Sequence, residues 1–433
     1  MWRTNPGRVL SVLAVGLLAI GGAATAAEQA GKLRAGVAKI DITPAKPVMM
    51  SGYASRKDLS QGIHDPLSAR AIAFEQDGKR LVLLSCDLIG VRGETADNVR
   101  KAVLEACQLQ PSDLFLTAIH THGGPSLTLD ANRGHANNVE YTKALEPKLI
   151  EVVKEAVAKL APVQISYGAG SSPVGVNRRE TVLDKSGKPR VVLGRNPAGP
   201  TDPEVQVLNV LRAEAGERLA VVFAYATHST ALGPGNLQIT GDIHGMAEQF
   251  IEKHFDKGVI APAFAGASGN IDPWVRVLPK FETADGWIPE PVLMSTMLAE
   301  EVATASKGIR TYSTNAPIKT AMKTVTLPGK ARERDGEAPA EVEPVPLTIT
   351  VARLGDVAFV GLSAEVFNEI GRAIKKASPL QHTVIITHCN GGSGYLPNSS
   401  AYEGGGYEVQ SSRFAPGAAE QAIEEAARML RGL

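Results

Sequence analysis

The feature that most narrows the possible folds of this chain is a repeated ending. Apolar runs alternate with amphipathic segments, and run after run stops at a side chain able to bind a metal or move a proton. LVLLSC (81–86) stops at Asp87, and LFLTAI (114–119) at His120 and, two residues on, His122. AVVFAYAT (220–227) stops at His228, and APAFAGAS (261–268) runs on to Asn270 and Asp272. AFVGLSA (358–364) stops at Glu365, and VIIT (384–387) at His388 and Asn390. Continuous apolar runs of this length read as strands buried on both faces. The stretches 94–107, 145–160, 245–255 and 366–377 carry helical spacing. Strands interleaved with helices predict an α/β protein whose sheet is covered on both sides, and in open α/β sheets ligands bind beyond the carboxyl ends of the strands.

That edge is where the candidate chemistry collects. His120 and His122 are two apart and would face the same way on a strand. With His228 and Glu365 they make a His/His/carboxylate set, the kind that holds a catalytic zinc while leaving one position open. Gly123 and Gly124 would let the backbone turn sharply beside an ion or substrate. Asp242 stands just before a predicted helix, where an N-cap is expected, and His244 is a candidate auxiliary acid or substrate contact. Arg178 and Arg179 fall in a predicted loop, either as a solvated surface or as a hydrogen-bond fork to a polar substrate group. The glycine-rich stretch 390–408, with Tyr395, Tyr402 and Tyr407, has the composition of a loop that closes over a site.

Composition removes some function classes. Lys+Arg and Asp+Glu are equal, 45 each, so the basic excess that nucleic-acid binding needs is missing. Arg3 and Arg8, the apolar run 9–20 and the small residues before Glu28 read as a signal peptide over 1–26, with one domain expected over 27–433. Export to the periplasm or beyond follows, with no stable membrane span. Cys86, Cys107 and Cys389 are too few for a disulfide framework, although one pair is possible. The proline- and charge-rich stretch 328–346 reads as an exposed excursion between strands.

GVAKIDITP (36–44), GIHDPLSARAIAF (62–74), IHTHGGP (119–125), VNRR (176–179), ITGDIHG (239–245), SGNIDP (268–273) and SGYLPNSSAYEGGGYE (393–408) occur in the order seen in the neutral/alkaline, non-lysosomal ceramidase family, which the chain resembles over most of its length. The resemblance implies an α/β fold of mixed sheets layered between helices. It implies one Zn2+ held by His120, His228, Glu365 and Tyr402, with Tyr395 as the alternative tyrosine, and His122 lining the site. Two departures stand out. Asp272 occupies the position of the family's catalytic serine, and His244 stands where lysine is usual. The chain is also expected to lack the additional C-terminal β-domain of ceramidases proper. The expected function is an exported zinc-dependent hydrolase in which activated water attacks an amide or related acyl bond. Asp272 would be the general base, His122 and His244 auxiliary groups, and Asn270, Arg178, Arg179, Tyr395 and Asp242 substrate contacts. The substrate would be a small molecule, a lipid or a glycan. A glycan-directed hydrolase or lyase using the same site, and a non-catalytic metal- or ligand-binding protein, are the rival readings.

Overall fold

A computed structural model describes residues 31–275, 290–331 and 342–433. The expected signal peptide and the centre of the 328–346 excursion lie outside the described residues.

Two sheets dominate. The larger has eight strands, ordered Ala263–Ala265, Arg218–Tyr225, Glu204–Arg212, Ala161–Ser171, Arg34–Asp41, Ser68–Gln76, Lys79–Cys86 and Leu114–Ala118. The smaller has four: Ile318–Leu327, Val345–Leu354, Val357–Leu362 and His382–Ile386. Most neighbours are antiparallel. The exceptions are Arg218–Tyr225 with Ala263–Ala265, Lys79–Cys86 with Leu114–Ala118, and Val357–Leu362 with His382–Ile386. A parallel pair brings two carboxyl ends to the same rim. His120, His228, Glu365 and His388 follow closely on the ends of these strands, while Asp272 lies in the strand Ile271–Pro273 of a separate three-stranded sheet.

The sheets pack face to face. One core joins Leu83, Phe115, Val222 and Phe264 of the large sheet to Leu354, Phe359, Val384 and Ile386 of the small one. The outer face of the large sheet is covered by helices Gly93–Cys107 and Ala136–Ala158, through Val99, Val103, Leu149 and Val152, and by helices Asp242–Phe255 and Glu290–Gly308, through Ile251, Leu298 and Val302. Helices Asn368–Ala377 and Ala418–Arg431 cover the small sheet. The result is the expected layering of mixed sheets between helices, with each sheet covered on one face by the other. Burying a core leucine or phenylalanine contributes about 1.5–3 kcal/mol, so this doubled interior is the main source of stability.

Boundaries shift for local reasons. The helix predicted over 145–160 starts nine residues earlier, where the His135 ring accepts a hydrogen bond from the Asn137 N–H. Arg178 and Arg179, predicted in a loop, lie in the strand Gly175–Leu183, which pairs with Ile271–Pro273 and Pro189–Asn196. All three thiols are buried and free. No described helix is long and apolar enough to cross a membrane.

Candidate metal centre

The large-sheet strand carrying the histidine pair ends at Ala118, two residues before His120. The two imidazoles therefore do not converge by strand alternation. His120 takes φ of +60°, the left-handed region, and this turn swings its ring toward His122, Nε2 to Nε2 3.4 Å. His388 does the same at the end of its own strand, with φ +53°, and stacks on His120 with ring centres 3.8 Å apart. Left-handed backbone at non-glycine residues is costly and gathers at functional sites. Gly123 serves packing, not ligand approach. A β-carbon there would fall 2.7 Å from the Thr240 carbonyl oxygen. Thr240 in turn donates its N–H to Gly123 and accepts the Thr121 hydroxyl at 2.8 Å.

The histidines are oriented from behind. His120 Nδ1 lies 2.8 Å from the Ile89 carbonyl. His228 Nδ1 lies 2.8 and 3.0 Å from the Ser268 and Ile271 carbonyls. A carbonyl only accepts, so each Nδ1 carries the hydrogen and each Nε2 presents a lone pair, the arrangement of a metal-binding imidazole. Both Nε2 atoms face Glu365 Oε2, at 3.4 and 3.8 Å. That oxygen is buried without a hydrogen-bond partner among the described residues. Burial holds His120, His122, His228 and His388 below the ordinary imidazole range, so the rings are neutral donors. Ligand atoms of His120, His122 and His228, and of His120, Glu365 and His388, lie within 4.8 Å of one another. Neutral nitrogens around an orphaned carboxylate oxygen fit a divalent cation of zinc's type.

Behind this cluster runs a second line of contacts. Arg178, almost fully buried, places Nη1 3.3 Å from His228 Nε2 and 3.2 Å from Asp272 Oδ1. Its Nη2 donates to the Tyr395 hydroxyl at 3.1 Å, and its Nε to Glu408 at 2.8 Å. Glu365 and Tyr395 are register partners in a short parallel pair, so the phenol stands next to the carboxylate.

The structure thus brings together His120, His122, His228, Glu365, Arg178, Asp272 and Tyr395. Five other expected residues do other work. Tyr402 donates its hydroxyl to the Phe414 carbonyl at 2.6 Å and packs on the small-sheet core; Tyr395 stands where the tyrosine was sought. His244 is fully buried, with Nδ1 on the Ser229 hydroxyl and Nε2 on the Tyr225 carbonyl, and is pushed by burial to about 4. With both nitrogens engaged it is no proton shuttle. The Asp242 carboxylate receives the N–H groups of Ala231, Leu232 and Ile243 and so fastens the loop after His228. Asn270 accepts from Asn368 N–H and donates to Glu369, which pins helix Asn368–Ala377. Arg179 is spent on Glu408 and the carbonyls of Ala401 and Gly405. His388, Arg92 and Glu408 also stand at the cluster, beyond the residues expected there. Only His388 had a sequence signal, as the end of an apolar run.

The fold and this cluster define a class first: an α/β/β/α sandwich with a candidate metal centre on the rim of its strands. The comparisons give the family. The profile described as neutral/alkaline non-lysosomal ceramidase, N-terminal, matches residues 33–273. The neutral ceramidase of Oryza sativa subsp. japonica is 28% identical over 231 residues, 50% of this chain and 28% of that protein. The neutral ceramidase of Mycobacterium tuberculosis (strain ATCC 25618 / H37Rv) is 27% identical over 239 residues, 49% of this chain and 34% of that protein. These matches span about a third or less of the relatives' own lengths. The crystal structure of neutral ceramidase from Pseudomonas aeruginosa superposes with a TM-score of 0.75 at 18% identity, covering 93% of this chain and 75% of that one. The chain belongs to the neutral/alkaline non-lysosomal ceramidase family.

Proposed function

We propose that this protein is an exported zinc-dependent hydrolase that cleaves an amide or related acyl bond. The observation that carries the reading is Glu365 Oε2, buried and unpaired by hydrogen bonds, facing the Nε2 atoms of two histidines whose Nδ1 atoms are tied to main-chain carbonyls. His120, His228 and Glu365 would hold the ion, with His122, His388 and Tyr395 beside them. When bound, zinc lowers the pKa of water to roughly 7 and polarises a carbonyl.

The chain's own residues supply the rest. Asp272 is the proposed general base; its buried charge is compensated by Arg178 at 3.2 Å, and it would later return the proton to the leaving amine. Tyr395, oriented by Arg178, presents a phenol O–H for a developing oxyanion. Arg178 couples base, ligand and phenol, so its loss would disturb all three.

The test is product analysis with purified protein loaded with zinc and then stripped by chelator. Release of a free amine and a free acid in equal amounts, abolished by chelator and restored by zinc, is expected. An unsaturated product would point to a lyase instead. Full turnover by Asp272→Ala would remove the base from the mechanism.

A further inference from the structure

Arg178 and Arg179 are the arginines expected to recognise substrate. Both are committed elsewhere, to Asp272, Glu408, Tyr395 and main-chain carbonyls. A third arginine is not. Arg92 Nη2 lies 3.7 Å from Glu365 Oε1, beyond hydrogen-bond reach, and its side chain is 39% exposed. Among the described residues its guanidinium makes no hydrogen bond. A planar fork of donors left open beside a reacting centre suits a carboxylate.

The surroundings keep this side chain in place. Arg92 lies across two glycines from different parts of the fold. A β-carbon on Gly90 would fall 3.2 Å from its Cζ, and one on Gly392 2.8 Å from its Cγ. Arg92 is also the residue that opens helix Gly93–Cys107, so the positive end of that helix adds to its field. On the far side of the cluster, Arg195 stands 3.9 Å from Asp272 and gives its own donors to the Trp274 and Gly194 carbonyls. The sequence of contacts therefore runs Arg92, Glu365, His120 and His228, Arg178, Asp272. The open cation is at one end, one contact from the candidate ligand Glu365.

We propose that the substrate carries a carboxylate close to its scissile amide and that Arg92 receives it. The substrate class would then be N-acyl amino acids, not the neutral N-acyl amino alcohols. The inference rests on the hydrolase reading above and names its specificity. Arg92 is a substrate-binding residue in this scheme and takes no part in proton transfer.

The experiment uses two probes that differ only in the group at issue, N-dodecanoylglycine and N-dodecanoylethanolamine, with the zinc-loaded full-length protein. The glycine conjugate should be preferred by about 10-fold or more in kcat/KM, the range of a hydrogen bond to a charged group. Arg92→Ala should erase that preference, mainly through a raised KM for the glycine conjugate, with zinc content measured alongside so that lost substrate binding is told from lost metal. Gly392→Ala, whose new methyl intrudes on the arginine, should weaken the preference in the same direction. Equal turnover of both probes, or preference for the ethanolamide, would overturn the inference and leave the hydrolase reading standing. If neither probe is cleaved, the hydrolase reading is judged by its own product analysis. Calorimetric binding of N-dodecanoylglycine then decides: about 10-fold weaker binding in Arg92→Ala supports the carboxylate site, and equal binding or none rejects it.

Discussion

Replacing Arg70 with methionine tests how the rim beneath the candidate metal centre is held. Arg70 is fully buried and faces three carboxylates: Glu248 at 2.5 Å, Glu252 at 2.7 Å and Asp87 at 3.2 Å. Burial pushes Asp87 and Glu248 above the ordinary carboxylate range, and the guanidinium works against that rise. Removing one partner of a buried ion pair costs about 3–5 kcal/mol, because the charge left behind has neither water nor a counterion. The sign with pH follows from linkage. A carboxyl whose folded pKa is raised contributes stability that is present below its unfolded pKa, about 4, and is lost as pH rises through the folded value. Without Arg70 the rise is steeper, so the deficit should be largest near pH 8 and shrink toward pH 5. Urea unfolding at the two pH values measures it. The site should suffer too: the Leu88 carbonyl accepts the Thr121 N–H, and the Ile89 carbonyl orients His120. Zinc retention should therefore fall in parallel. A deficit under about 1 kcal/mol at pH 8, or one that does not move with pH, would refute the reasoning.

Glu365→Gln should retain little zinc after dialysis, since loss of a mere supporting partner already lowers affinity roughly 10–100-fold; metal analysis per chain checks it. Tyr395→Phe should depress turnover and cost about 1–3 kcal/mol, because it strands the buried Arg178 donor, whereas Tyr402→Phe should leave turnover intact and cost about 1 kcal/mol in denaturation, the value of one hydrogen bond. Burial raises Asp242 to about 6 against its three backbone N–H bonds, so its contribution is present below about pH 4 and lost as pH rises through 6. Asp242→Asn should flatten the pH–stability curve over that window by at most about 3 kcal/mol.

The strands and the residues at their ends were legible because burial on both faces leaves an apolar run with a sharp end. The interleaved helices implied only a sheet covered on both faces; the layering of mixed sheets between helices came from the family resemblance, because nothing local tells that one sheet is covered by another. What sequence spacing does not carry is a neighbour far along the chain. Arg178 and Arg179 look like a free pair until Glu408, 230 residues from Arg178, is seen to take both. Spacing from the glutamate favours Tyr402 with Tyr395 as the alternative, whereas the register Glu365↔Tyr395 puts Tyr395 beside the carboxylate. His244 looks catalytic because nothing in its local sequence reveals that the Ser229 hydroxyl and the Tyr225 carbonyl already occupy its nitrogens. The histidine pair was found for an incomplete reason: strand alternation was assumed, and a left-handed turn does the work.

The three-stranded sheet of Ile271–Pro273, Gly175–Leu183 and Pro189–Asn196 stands apart from the sandwich that bears the candidate ligands. It reaches them in two ways, through the Ile271 carbonyl on His228 and through the Arg178 side chain, which contacts His228, Asp272 and Tyr395. The hold of Ile271 on His228 is a main-chain carbonyl and does not depend on which side chain stands at 272. If Asp272 handles the proton as proposed, that group can be exchanged without rebuilding the main-chain carbonyls that orient the candidate ligands His120 and His228.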